Sequence, residues 1–134
     1  MRYGLSCQLR IEFHPLLQKN VLRHRSSFGH VKKKVIRAII DLYDEGYRHF
    51  VINIIQPTDL WVAEIIYFMT LSHRGSGICY SLGLWLDDED AYVWLDKTSM
   101  FCDEVFRNAK RVFWRSQKWY DNYYEMKWIY IGLK

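Results

Sequence analysis

Two carboxylates, Asp59 and Glu64, have the residue type and spacing to do chemistry. They lie at the start and in the middle of an apolar segment that runs to residue 71, where burying an unpartnered charge is costly. They predict either a ligand-binding or catalytic pair, or a helix cap at Asp59 with a hydrogen-bonded buried acid at Glu64. We favour the cap and the buried acid, because catalysis also needs an oxyanion or phosphate cradle.

The histidines and cysteines do not indicate a metal centre or an activated nucleophile. None of the five histidines lies at zinc-ligand spacing from a cysteine or another histidine. Cys7, Cys79 and Cys102 are far apart, form no CxxC pair and follow no secretory signal. We therefore expect buried, reduced thiols in a cytoplasmic protein that has no metal, no cofactor and no catalytic activity.

Basic residues form two clusters, one between residues 19 and 37 and one between 107 and 118. The first holds seven Lys and Arg and no acid, and residues 1–50 carry a net charge of +6 against −2 for the rest. Aromatic side chains interleave the second cluster and can stack on bases or fill a protein pocket. The alternative is a solvated helix face and a mobile loop. The basic residues of these clusters and the tryptophans beside them that we predict to contact a partner are Arg23, Arg25, Lys32, Lys33, Arg111, Trp114, Arg115 and Trp119.

The composition bounds the class of protein. The chain has 134 residues, of which half are apolar, and this suits one domain with a continuous core. Its most apolar stretch, residues 50–71, contains Asn53, Gln56, Pro57 and two acids, which excludes a membrane span there. Aromatic residues make up 17% of the chain, more than so small a core can bury. We expect some of them at a binding surface.

Strand and helix patterns alternate along the first two thirds of the chain. Residues 3–13 predict a strand, which a long, irregular basic loop follows over residues 14–30. Residues 30–45 have the spacing of an amphipathic helix that Gly46 ends. Residues 49–55 predict a buried parallel strand, and residues 60–71 a buried helix with Thr58 or Asp59 as its N-cap. A turn at 74–77 and a strand at 78–86 come next.

The last third predicts a helix, a short strand and a final helix. The acids at 87–90 open the first helix, where they complement its dipole or imitate phosphates toward a nucleic-acid-binding protein. Residues 111–114 predict the strand. The final helix, 116–130, is apolar around more of its circumference than one buried stripe requires, so it should bind a partner or a second copy through Trp119, Tyr120, Tyr123, Tyr124 and Trp128. The alternation predicts a single small α/β Rossmann-like domain with a mostly parallel sheet flanked by helices.

The segment from Phe50 to Glu64, FVINIIQPTDLWVAE, resembles the SLOG superfamily of Rossmann-like proteins, which includes DprA and the LOG proteins. It is most similar to the small bacterial YpsA-type branch, in which the strand and loop usually read FISGGALGVDLWAAE. The resemblance covers about residues 31–128 and is specific around residues 59–64. It implies a nucleotide-like ligand or phosphate at Asn53, Gln56, Thr58, Asp59 and Glu64.

The sequence departs from that pattern where the ligand would bind. The three glycine positions of the loop hold Asn53, Ile54 and Pro57. Proline removes an N–H group, and β-branched Ile54 disfavours the backbone conformation that glycine allows. The family's Thr-Gly-His-Arg-Pro turn is absent, and the chain ends where the family usually continues into another strand, so we expect a domain truncated at its C-terminal end.

These observations predict a non-catalytic protein that binds a macromolecule on a degenerate SLOG scaffold. The expected partner is a protein or nucleoprotein complex, with nucleic acid contacted through the basic clusters, and a homodimer is a further expectation. An inhibitor encoded by a phage or other mobile element, of the anti-CRISPR or anti-defence type, fits this size and charge. The alternatives are a sensor or sponge for a nucleotide-derived ligand and, least favoured, a residual LOG-like phosphoribohydrolase.

Overall fold

The computed structural model describes residues 4–20, 29–84, 102–114 and 124–133. Predicted strands near residues 3–13, 49–55, 78–86 and 111–114 and helices near 30–45 and 60–71 are confirmed, whereas the helix predicted to open at 87–90 lies outside the described residues. In chain order the elements are β1 (Leu5–Phe13), α1 (Pro15–Asn20), α2 (Gly29–Asp44), β2 (Tyr47–Ile54), α3 (Pro57–Ser72), β3 (Cys79–Leu84), α4 (Cys102–Asn108), β4 (Val112–Trp114) and β5 (Glu125–Ile131).

The five strands form one parallel sheet in the order β4-β3-β2-β1-β5. This confirms the predicted α/β, Rossmann-like fold. The chain steps from β1 through β2 and β3 to β4 in one direction. Because parallel crossovers are right-handed, these steps place α2, α3 and α4 on the same face of the sheet. Consistent with this, α3 contacts both α2 and α4.

The core lies between the sheet and these three helices. Alternate residues of β1, from Cys7 to Phe13, are apolar and buried on this side. The ring of Phe13 lies 5.8 Å from that of Trp61 in α3. The hydroxyl of Tyr80 in β3 donates a hydrogen bond of 2.5 Å to the carbonyl of Val105 in α4. We call this side of the sheet the helix-facing side.

The other side of the sheet, which we call the polar face, carries the remaining residues of β1. Ser6, Gln8, Arg10 and Glu12 alternate with the core residues, because successive side chains of a strand point to opposite faces. In the register of the sheet Ser6 lies beside His49 of β2. The polar face therefore collects hydrogen-bonding side chains from neighbouring strands.

The predicted irregular loop over residues 14–30 is wrong where α1 forms. Proline suits the first position of a helix, and Pro15 occupies it. His14 caps the helix: its Nδ1 accepts from the N–H of Leu16 at 3.1 Å and its carbonyl from the N–H of Leu17 at 2.8 Å. Leu17 is buried and anchors the turn to the core. Residues 21–28 of the predicted loop lie outside the described residues.

The predicted boundaries of the two long helices have different outcomes. Gly46 follows α2 with a φ of 110° and donates its N–H to the carbonyl of Tyr43 at 2.9 Å, so the predicted terminating glycine is confirmed. The predicted N-cap of α3 is wrong: the cap is Gln56, not Thr58 or Asp59. Pro57 takes the first helical position, where a missing N–H breaks no helical hydrogen bond.

The predicted helix over residues 116–130 is wrong from Glu125 onward, where the chain forms strand β5. β5 pairs in parallel with β1, from Cys7 opposite Glu125 to Phe13 opposite Ile131. Ile131 is buried on the helix-facing side, whereas Trp128 on the polar face is exposed. A strand with apolar residues on both faces resembles, in sequence, a helix that is apolar all round. Residues 115–123 lie outside the described residues.

Candidate binding site

The carboxyl ends of β2, β1 and β5 are neighbours, because the strands are parallel and adjacent. After β1 the chain continues to β2 on one side of β1, and after β4 it returns to form β5 on the other side of β1. Ligands of open α/β sheets bind beyond the carboxyl ends of the strands where the strand order reverses in this way. A cavity of about 420 Å³ lies at this end of β1, lined by Arg10, Glu12, Phe13, Pro15, Gln18 and Gln56.

Arg10 provides the positive charge of this cavity. Its guanidinium lies 5.2 Å from the ring centroid of Trp128, the neighbouring residue on β5, in a cation–π arrangement. Its Nε lies 3.4 Å from Oε1 of Glu12. Neither Nη atom of Arg10 donates a hydrogen bond within the described part of the chain. The guanidinium is therefore oriented by its neighbours while most of its N–H groups stay available.

The loop between β2 and α3, where the sequence predicted a phosphate or nucleotide, is closed by Asp59. Its Oδ2 accepts from the backbone N–H groups of Ile55 and Gln56, both at 2.9 Å. Pro57 has no N–H to offer. Thr58 is buried, and its Oγ1 accepts from Nε2 of Gln18 at 2.7 Å. Two of the backbone N–H groups that could cradle an anion there already bind a carboxylate of the protein.

The environment of Asp59 explains how this carboxylate behaves. Burial raises the pKa of Asp59 from 3.8 to about 6, against the opposing effects of the two backbone N–H groups and of the positive charge of Arg10. Glu64, its predicted partner, is also buried in α3. The two residues are five positions apart, which separates them by about 140° around the helix axis. Asp59 acts as a stabiliser of its own loop.

Of the five residues predicted to bind a nucleotide-like ligand, Gln56, Thr58 and Asp59 lie in one turn, whereas Asn53 and Glu64 lie in β2 and α3. Asn53 lies on the polar face, where its amide donates to Oε1 of Gln8 at 3.0 Å. Thr58 and Asp59 hold the turn, and Glu64 lies in α3. Gln56 is the member of the set that lines the cavity.

A second polar cluster surrounds His49 on the polar face. Its Nε2 is hydrogen-bonded to Oγ of Ser81 at 2.6 Å, and its Nδ1 to Oγ of Ser6 at 3.0 Å. Burial, followed by the positive charges of Lys110 and Arg111, lowers the pKa of His49 to about 4. The imidazole is therefore neutral at physiological pH. Its two hydrogen bonds join β1 and β3 to β2.

The two thiols whose surroundings are described are not activated. Burial raises the pKa of Cys7 to about 12 and also raises that of Cys79. Both are free, and both stay protonated at neutral pH, which removes the nucleophilic form. Among the described residues no group of three or more His, Cys, Asp and Glu side chains can hold a metal ion.

The residues predicted to contact a partner are dispersed. Lys32 and Lys33 are exposed on α2, which packs against β2 and β5, whereas Arg111 precedes β4 at the other edge of the sheet. Trp114 lies in β4. Tyr124 is half-buried: its ring lies 5.9 Å from that of His49, and its carbonyl accepts from Gln8 at 3.4 Å. Outside the described residues lie Arg23, Arg25, Arg115, Trp119, Tyr120 and Tyr123.

Exposed apolar side chains gather at one end of the molecule instead. The described residues contain six large exposed hydrophobic side chains. Four of them lie at or just beyond the carboxyl ends of β1, β2 and β5, and a fifth, Trp128, lies in the middle of β5 on the same face as Tyr130. The sixth, Leu71, lies at the far end of α3. We call the five the carboxyl-end surface: Leu16, Ile55, Trp128, Tyr130 and Leu133.

Sequence reasoning identified Trp128 and placed Tyr130 in the same aromatic segment, but it missed Leu16, Ile55 and Leu133 as well as Arg10 and Glu12. The signal that could have found Leu16 and Ile55 was their position at or shortly after the ends of predicted strands, where binding residues concentrate in α/β folds. The pairing of Arg10 with Trp128 required the register between β1 and β5, which the predicted final helix concealed.

No protein-family model, no curated protein and no solved structure matches the chain. None of the helices in the described part of the chain combines the length and the apolarity that crossing a membrane requires.

Proposed function

We propose that this protein is a non-catalytic binding protein that docks a protein partner on its carboxyl-end surface. The observation that supports the proposal is the concentration there of five of the six large exposed hydrophobic side chains of the described residues. Trp128 and Tyr130 are 61% and 62% exposed, although burial of such rings is strongly favourable. Clustered exposed apolar side chains are typical of a surface that a partner covers.

The chemistry of the surface favours a protein over a nucleic acid. Leu16, Ile55 and Leu133 offer aliphatic groups, which gain from an apolar pocket and do not stack on bases. The adjoining charges, Arg10 and Glu12, are of opposite sign and provide no attraction for a phosphate backbone. Trp, Tyr and Arg, the residue types that dominate binding energy in protein interfaces, occur together here.

The chemistry of the interior supports a role without catalysis. His49 is neutral and lies between two serine hydroxyls, with no carboxylate hydrogen-bonded to its ring to orient it as a base. The thiols of Cys7 and Cys79 are protonated. The anti-defence inhibitor of the sequence analysis is one form that such a binding protein can take, and it stays a prediction.

Photo-crosslinking tests the docking surface. A benzophenone amino acid replaces Trp128 or Tyr130 in two variants, and Leu71 in a matched control that is exposed at the opposite end of α3. After irradiation in a bacterial lysate, we expect one and the same protein to be joined from positions 128 and 130 and not from 71. With that protein purified, Trp128→Ala should weaken binding by about 2 kcal/mol, or roughly thirtyfold.

Three results would contradict the proposal. The first is the same crosslinked products from position 71 as from positions 128 and 130. The second is the absence of any crosslinked protein from those two positions. The third is a product that nuclease removes, which would assign the surface to nucleic acid.

A further inference from the structure

The cavity at the end of β1 presents two opposite charges that the protein itself leaves incompletely paired. The guanidinium of Arg10 is held by Trp128 and by one contact of 3.4 Å from its Nε to Glu12, while both Nη atoms make no hydrogen bond within the described residues. A planar fork of N–H groups fixed in this way matches a carboxylate.

Glu12 offers the complementary group. Its contact with Arg10 uses Oε1, and its side chain is 48% exposed at the cavity. In the described part of the chain Oε2 accepts no hydrogen bond. A carboxylate oxygen in this position can accept from the ammonium group of a ligand.

The charges around the cavity exclude a phosphate as the favoured ligand. Arg10 is opposed by Glu12 and also interacts electrostatically with Asp59, so one positive charge stands among two carboxylates. A dianion would be repelled by both acids, and the loop N–H groups of Ile55 and Gln56 are already used. A simple cation would leave the guanidinium without an acceptor. A ligand with one charge of each sign matches both groups.

Size and lining agree with a small polar molecule. A volume of about 420 Å³ lies within the range of small-molecule sites. Phe13 and Pro15 provide apolar wall, and Gln18 is fixed by its hydrogen bond to Thr58 while its Oε1 remains as an acceptor. We infer that this cavity binds a zwitterion, an amino acid or short peptide, whose carboxylate contacts Arg10 and whose ammonium contacts Glu12. This inference goes beyond the docking of a protein partner and does not depend on it.

The test uses the full chain and matched ligands. The twenty proteinogenic amino acids and the dipeptide Gly-Phe are titrated to about 10 mM, a concentration that detects even weak binding, while ¹⁵N NMR follows the backbone amides. We expect shifts at Arg10, Glu12, Gln18 and Gln56. For the tightest ligand, the methyl ester and the N-acetyl derivative should each bind at least about tenfold more weakly, because each lacks one charge. Inorganic phosphate should leave these amides unshifted.

Variants assign the two charges. Arg10→Gln and Glu12→Gln should each weaken binding at least about tenfold, and the NMR spectrum checks that each variant is folded. The matched controls, Arg37→Gln and Asp41→Asn, alter an exposed ion pair on α2 and should leave binding unchanged. The inference is overturned if no zwitterion shifts these amides, if ester and N-acetyl forms bind equally well, or if phosphate binds as tightly. None of these outcomes bears on crosslinking at position 128, so the two proposals fail separately.

Discussion

At the scale of single residues, Asp59 occupies the turn after β2, where the sequence predicted a phosphate or nucleotide. Its carboxylate takes the two backbone N–H groups that a ligand would use, from Ile55 and Gln56. Burial opposes its ionisation, and the two hydrogen bonds partly offset that cost. The side chain thus provides an internal acceptor in this turn, and we expect the acceptor to matter more for stability than the charge.

Substitution of Asp59 separates these two properties. Asp59→Ala removes the acceptor and leaves two N–H groups unpaired, so we expect a loss of about 2 kcal/mol in the free energy of unfolding at pH 7. Asp59→Asn keeps a carbonyl oxygen and removes the buried charge, and it should stay within about 1 kcal/mol of the wild type. Urea denaturation measures both.

The matched control is Asp41→Ala, because Asp41 is exposed and pairs with Arg37 one helical turn away. Its effect should stay within about 0.5 kcal/mol. Equal losses for Asp59→Ala and Asp59→Asn would show that the charge, and not the acceptor, holds the turn.

The sequence predicted part of this site for identifiable reasons. Asp59 was found as a stabilising acid because it precedes an apolar helix, yet its cap position was misjudged because Pro57 had already started the helix. Arg10 and Glu12 were not found. On a strand read alone, charged residues at alternate positions indicate only a solvated face, and their significance comes from Trp128 across the sheet.

At the scale of elements, the local sequence pattern predicted most strands of the sheet, but it predicted a helix where β5 forms. α2 was found because burial of one face imposes a helical period, and β2 because a short, continuous β-branched run is typical of a parallel strand covered on both faces. β5 is an edge strand that carries Ile129 and Ile131 on one face and two exposed aromatic rings on the other. Its aromatic and β-branched content favours a strand, but apolar residues on both faces concealed the period of two.

The burial of β5 gives a prediction for that element. Ile131 is 5% exposed and Leu133, two residues later, is 49% exposed. We expect Ile131→Ala to lower the free energy of unfolding by about 2–4 kcal/mol, because it opens a cavity in the core. Leu133→Ala should change it by less than about 0.5 kcal/mol. Similar effects in urea denaturation would contradict the placement of β5 beside β1.

At the scale of the whole molecule, the sheet separates two buried titratable groups whose pKa values move in opposite directions. Asp59 lies at the carboxyl end of the sheet, and its pKa rises from 3.8 to about 6. His49 lies on the polar face, and its pKa falls from 6.5 to about 4. Both shifts arise chiefly from burial, which disfavours the charged form of either group.

These shifts have opposite consequences for stability. The contribution of Asp59 is fully present below about pH 4 and is lost as the pH rises through about 6, because the unfolded state releases its proton first. The contribution of His49 is present above about pH 6.5 and is lost as the pH falls through about 4, because the unfolded state takes up a proton first. Each shift corresponds to roughly 3 kcal/mol.

The pH profile of the wild type should therefore be nearly flat between about pH 4 and 6, and single substitutions should reveal the two opposed slopes. In Asp59→Asn only the contribution of His49 remains, so the free energy of unfolding should rise by roughly 3 kcal/mol from about pH 4 to 6.5. His49→Gln leaves Asp59, so stability should fall by a similar amount as the pH rises from about 4 to 6. The double variant should again be flat. Urea denaturation across this range measures the four profiles, and two single variants that both stay flat would exclude this balance between the groups.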